Sequence, residues 1–308
     1  MVGGAVLYVS KERENRRLRD WSAATVQALV ALADVPGSDD ARDRLSALVV
    51  EELRGIVRDD DPTMLGLWTD ALCRRSDILR ERGTMAEAAE LREQALSAAM
   101  RVIELRPDSA TDRRRLARTM VLVGDVARET SRPRIAEARY RDAHAIFIDL
   151  AARNAGDASF EIPLVWSYDR LIDVAMSEGR IDESRVLVDA MHDLSRRLDP
   201  SRNEIDVLQA RIAARSRAIY VGTLHGERID TRAARDANLR DCAALNRLAP
   251  ENRTYEIMYA LECRNGAVEQ LAAGDRMRSD ELFGESLATL RRLNGREPGY
   301  LDGWARLA

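Results

Sequence analysis

Leu79-Arg80-Glu81-Arg82-Gly83-Thr84-Met85-Ala86-Glu87-Ala88 ends one helix and starts the next within ten residues. Gly83 suits the left-handed position that closes a helix. Thr84, with Glu87 three residues on, reads as a capping box in which each side chain satisfies the other's amide. Outward from this stretch, apolar residues recur at helical spacing on both sides. Leu65, Trp68, Leu72 and Leu79 precede the glycine, and Ala88, Leu91, Ala95, Ala99 and Val102 follow it. The same punctuation returns at Ser131, Gly179, Gly226 and Gly274, so that successive intervals from Gly83 are 48, 48, 47 and 48 residues. A near-constant step of this size indicates an array of helical hairpins. The expected fold class is all-α: an α–α superhelix of about five hairpins behind an N-terminal helical segment.

Composition agrees. Of the 308 residues, 45% are hydrophobic, 32% charged and only 5% aromatic, which suits helix-on-helix packing better than sheets. The net charge of −4 offers no general attraction to nucleic acid. Lys11 is the single lysine, so 47 of the 48 basic residues are arginine, as a GC-rich coding bias would produce. The planar guanidinium nonetheless favours two-point contacts with carboxylates. Cys73, Cys242 and Cys263 each fall inside a helical pattern without metal-ligand spacing and read as small core residues.

Residues 2–9, Val-Gly-Gly-Ala-Val-Leu-Tyr-Val, form an apolar run ahead of the charged Lys11-Glu12-Arg13-Glu14. Eight residues fall short of the about 20 that a membrane helix needs, and a signal peptide would place its basic residues first. Residues 1–17 therefore read either as a loose extension or as the end of a membrane helix whose beginning lies outside this chain. The first reading makes the protein cytoplasmic, the second membrane-associated. Residues 18–60 form the N-terminal helical segment. It holds a helix from Leu18 to Ala33, a break at Pro36-Gly37, and a second helix capped by Ser38 with Leu45, Leu48, Val49, Leu53 and Ile56 on one side. Asp59-Asp60-Asp61 lacks the alternating spacing and the glycine of a calcium loop.

The repeat array spans residues 61–295. Asp61-Pro62 opens it as a cap followed by proline in the first turn. The second hairpin carries Leu116, Met120, Val123 and Ala127, then Ala136, Tyr140, Ala143 and Phe147. The third carries Leu164, Tyr168, Leu171 and Ala175, then Val186, Ala190 and Leu194. Ser201 to Glu204 reads as a capping box opening the fourth. Residues 296–308 are a C-terminal cap or a truncated further repeat.

Ala136, Tyr140 and Ala143, with Gly124-Asp125 in the preceding helix, resemble the tetratricopeptide repeat family, although the step is longer than that family's usual one of about 34 residues. Ser279, Phe283 and Ser286 fit less well, Ala88, Arg92 and Ala95 lack the aromatic, and Thr231, Arg235 and Asn238 match poorly. A second resemblance covers residues 13–58. Arg16-Arg17-Leu18, Ala33-Asp34-Val35-Pro36-Gly37-Ser38 and Ala41-Arg42 look like the segment that joins a membrane helix to helical repeats in large bacterial serine/threonine kinases. No part of a kinase catalytic domain is present.

The resemblances imply a non-catalytic protein–protein interaction module, a scaffold or sensor part of a bacterial signalling protein, that binds a peptide or protein in its concave groove. The alternative is the regulatory C-terminal region of a serine/threonine kinase or a transcriptional regulator whose catalytic or DNA-binding part is missing here. Partners would be protein or peptide rather than nucleic acid, with membrane attachment only through an N-terminal helix outside the chain. Lys11 stands in neither a P-loop nor a kinase strand context, and no Gly-x-Gly-x-x-Gly occurs. His144, His192 and His225 lie in different repeats without metal spacing. No catalytic, cofactor or metal residue is expected.

In such arrays the first helix of each pair lines the concave face. That register exposes Asp77, Arg80, Arg118, Asp125, Arg128, Trp166, Asp169 and Asp173 as partner-binding candidates, with an apolar half around Tyr220, Leu224, Leu261, Val268 and Leu271. Asp77 and Asp125 each precede an arginine, Arg80 and Arg128, by three residues, and such spacing allows them to pair on one helix face.

Overall fold

The computed structural model describes residues 39–296 apart from 200, 202–203, 227–230 and 251, together with residues 20–21 and 24–25. Among the described residues eleven α-helices can be followed end to end, and there is no strand. They are α1 (Asp39–Ile56), α2 (Pro62–Glu81), α3 (Met85–Leu105), α4 (Ala110–Glu129), α5 (Pro133–Arg153), α6 (Ala158–Ser177), α7 (Ile181–Arg197), α8 (Glu204–Leu224), α9 (Thr231–Leu248), α10 (Arg253–Ala272) and α11 (Arg276–Arg296). After α1 they form five hairpins, and the fold is an α–α superhelix. The 61–295 array falls into two compact units, Met1–Arg153 and Asn154–Ala308, a division that nothing in the repeat pattern signals.

The five punctuation residues do the same work. Gly83, Ser131, Gly179, Gly226 and Gly274 all have positive φ, from 57° to 86°. Each amide returns to a carbonyl three residues back, for example Gly83 to Arg80 at 3.0 Å and Ser131 to Arg128 at 3.1 Å. The next amide reaches five back in four of them: Thr84 to Leu79 (2.9 Å), Arg132 to Ala127 (2.8 Å), Arg180 to Ala175 (2.8 Å) and Asp275 to Gln270 (2.9 Å). These paired bonds satisfy carbonyls that the helix end would leave bare.

The capping box at Thr84 does not form. The Thr84 amide and hydroxyl both go to the Leu79 carbonyl, so the amide that Glu87 was to satisfy is already taken by the preceding helix. Side-chain caps instead start the first helices. Asp61 accepts from Thr63 and Met64, Ser109 from Asp112, Asp157 from Ser159 and Asn252 from Thr254, at 2.9–3.3 Å. Ser201 gives its amide and hydroxyl to the Asp199 carboxylate, and the remainder of the box proposed there lies partly outside the described residues, as does Ser38.

Within each unit successive helices pack in order, and alternate first helices also touch, α2 against α4 and α6 against α8. In the first unit Val49, Val50 and Leu53 of α1 pack on Met64, Ala71, Leu72 and Cys73 of α2 and on Ala95 of α3. Leu96 and Ala99 then meet Leu116 and Val123 of α4. In the second, Leu208 and Ile212 of α8 join Cys242 and Leu245 of α9 and Tyr255 of α10. All three cysteines are buried and free.

Two stripes differ from the sequence pattern. Leu48 is 44% exposed and Val186 is 69% exposed. The buried positions are Ser46, Val49 and Leu53 in α1, and Ser184, Val188 and Met191 in α7. One helical residue turns the side chain by about 100°, so Leu48 beside Val49 and Val186 two before Val188 face outward.

Candidate partner-binding face

The second helices reach the first through one repeated position. In the second hairpin the Tyr140 ring is fully buried and its hydroxyl donates to Asp125 at 2.8 Å. Gly124 makes room for it, because a Cβ there would lie 2.5 Å from Tyr140 Cε1. In the first hairpin the equivalent residue is Arg92, 1% exposed, and it donates to Asp77. Ser76 takes the place of Gly124 and bonds the Ala88 carbonyl at 2.8 Å. Arg92 leaves its Nε and Nη1 atoms without partners, a cost for a buried guanidinium. Asp77 and Asp125 thus hold residues of the second helix rather than Arg80 and Arg128.

Other candidates are engaged between hairpins. Arg80 donates to Glu129 at 2.7 Å, a half-exposed pair that contributes about 0–1 kcal/mol. Arg217 on α8 grips both Asp169 (2.6 Å) and Asp173 (2.5 Å) on α6. Burial works to lower the Arg217 pKa, but those two carboxylates overcome it and the value is raised. A second network lies further along. Arg235 donates to Glu262 and Glu269, Asn238 to Ser216 and Glu262, and Arg215 to Asn238 and Asp241. Sequence patterning does not mark these pairings, because each joins residues more than 20 positions apart.

All four acidic candidates are therefore spent inside the fold: Asp77, Asp125, Asp169 and Asp173. Arg118 and Arg128, both exposed, form no ion pair among the described residues, and neither does the half-buried Arg74. Trp166 is 36% exposed on α6. In the second unit Tyr220 and Leu224 on α8 and Val268 and Leu271 on α10 are each about half exposed, whereas Leu261 is partly covered. The first helices thus present arginines in the first unit and large apolar side chains in the second.

A small cleft of about 110 Å³ opens between α2 and α4, lined by Asp70, Cys73, Arg74, Arg115, Arg118 and Thr119. Small-molecule sites usually occupy about 300–1,000 Å³. Arg115 is held by Asp70 at 3.3 Å and also by Asp112. Burial lowers the Arg74 pKa and the nearby Arg118 charge lowers it further, which the charges of Asp77 and Asp70 only partly offset. The Cys73 thiol is pushed up by burial, which the charges of Arg92 and Arg118 partly oppose. Burial likewise raises Cys242 and Cys263 to about 12, far from reactive thiolates. Among the described residues no group of three His, Cys, Asp or Glu side chains could hold a metal, and no helix is long and apolar enough to cross a membrane.

No family model matches the sequence. No curated protein matches it either. Among solved structures the chain resembles the crystal structure of BtubC (BKLC) from P. vanneervenii, with a TM-score of 0.60 and 17% identity over 85% of this chain and 94% of that one. This likeness concerns the fold. The human IFIT1 dimer with PPP-AAAA aligns over 88% of this chain and 68% of that one at 11% identity, but its TM-score of 0.26 is too low to carry an argument. Neither comparison extends the likeness to bacterial kinases, and most of the residues that carry it, 13–38, lie outside the described part.

Proposed function

We propose that the chain is a non-catalytic protein–protein interaction module, a scaffold or sensor part of a signalling protein, that binds a peptide or protein partner through its first helices. One observation carries this reading. The first helices leave arginines without ion pairs in the first unit and large apolar side chains about half exposed in the second, while the buried slots are filled by the array itself. Aromatic and arginine side chains are the usual anchors of protein interfaces.

The test is to capture a partner with the purified chain and map the complex by hydroxyl-radical labelling. Trp166, Tyr220, Leu224, Val268 and Leu271 are expected to lose labelling when the partner binds. Protection confined to α3, α5, α7, α9 and α11 would overturn the assignment of the face. Turnover of ATP by the isolated chain would overturn its non-catalytic character.

A further inference from the structure

The cleft between α2 and α4 is lined by three arginines and one carboxylate, Asp70. Of its three arginines, Arg115 is matched by Asp70 and Asp112. Asp77, one turn along α2 from Arg74, is committed to Arg92. Arg74 and Arg118 face the same space, close enough for the charge of one to depress the pKa of the other, and neither forms an ion pair of its own among the described residues; Asp70, which lines the cleft with them, is the carboxylate that Arg115 holds, and its charge and that of Asp77 offset only part of the lowering at Arg74. Beside Cys73 stands the buried Arg92, whose Nε and Nη1 atoms have no hydrogen-bond partner. The arrangement does not follow from the repeat, since one step of 48 residues on from Arg74 and Arg118 the chain carries Leu122, on α4, and Trp166, on α6.

We propose that Arg74 and Arg118 form a subsite for one carboxylate of an acidic peptide. The inference rests on the reading of this face as partner-binding and names the chemistry it selects. A guanidinium offers a planar fork that matches a carboxylate with two parallel bonds. At about 110 Å³ the cleft admits a carboxylate and its neighbouring methylene groups but not a nucleotide. Arg74 is partly withdrawn from water, so a bound anion replaces solvation that it has already lost. The carboxylate can come from an Asp or Glu side chain or from a chain terminus.

The probe is a fluorescein-labelled peptide of six glutamates, with a C-terminally amidated peptide of six glutamines as its counterpart without carboxylates, followed by fluorescence anisotropy on the full chain. The glutamate peptide is expected to bind, more weakly as salt rises, and the glutamine peptide to bind at least tenfold more weakly. Arg74→Gln with Arg118→Gln should weaken glutamate-peptide binding at least tenfold, and Arg134→Gln, at an exposed position on the second helix α5, less than twofold. Amidating the peptide's C-terminus separates the sources. A matching loss assigns the terminus, and no loss assigns a side chain.

The proposal is overturned if the wild-type chain does not bind the glutamate peptide, or if the double variant binds it unchanged. It is also overturned if Arg134→Gln costs as much as the double variant. Should the double variant melt early, Arg118→Gln alone decides, because Arg118 is exposed: a loss of threefold or more supports the subsite, and a smaller one overturns it. If the peptide fails while labelling still places a captured partner on the first helices, the subsite is wrong and the broader reading stands.

Discussion

Arg92 and Tyr140 occupy the same place in adjacent hairpins and perform one task with different chemistry. Each is buried and ties its helix to an aspartate on the preceding one, Asp77 or Asp125. The residue beneath decides which is tolerated, since Gly124 leaves space for a ring that the Ser76 side chain would block. Arg92→Tyr alone should therefore destabilise by about 1–3 kcal/mol through overpacking. Ser76→Gly alone should cost about 1 kcal/mol, from lost helix propensity and the lost bond to Ala88. Together they should recover at least about 1 kcal/mol relative to the sum, because the new ring fills the new space. Denaturant unfolding of the four proteins measures this coupling. Strict additivity would show that the first hairpin cannot adopt the packing of the second.

At the scale of the element, the helix stop is the repeated unit of information. Ser131 sits at φ 57°, where the other four punctuation residues are glycine. A left-handed L-residue costs about 1–2 kcal/mol, and glycine returns about 0.5–1 kcal/mol of that through its more flexible unfolded chain. Ser131→Gly should accordingly leave stability unchanged or raise it by up to about 1 kcal/mol, whereas Gly83→Ser should lower it by a similar amount. Thermal melting of both variants is the check. A lower melt for Ser131→Gly would reveal a stabilising role for the serine side chain.

For the whole molecule, stability in a repeat fold is close to a sum of unit and neighbour terms. Residues 1–153 contain a complete set of neighbours from α1 to α5, with Arg115–Asp70 and Arg80–Glu129 closing hairpin on hairpin. This fragment, expressed alone, should be helical and unfold cooperatively. Circular dichroism with thermal melting tests it. A fragment without a cooperative transition would show that the second unit is required for the first to fold.

The sequence by itself determined the helices, the hairpins and most of the buried stripes. These are local properties: a helix stops where one residue can take positive φ, and a stripe follows from 3.6 residues per turn. Locality also explains the failures. Leu48 and Val186 match an apolar pattern but turn outward, and Thr84 closes the helix behind it before it can cap the one ahead. Which charges stay unpaired depends on the packing of hairpin on hairpin. Arg115 finds Asp70, Arg80 finds Glu129 and Arg217 finds Asp169, each across 45 to 49 residues of sequence. A long, flexible guanidinium can choose among several carboxylates within reach, and the packing of one hairpin on the next makes that choice. The same packing leaves Arg74 and Arg118 together in the cleft between α2 and α4 without an ion pair of their own.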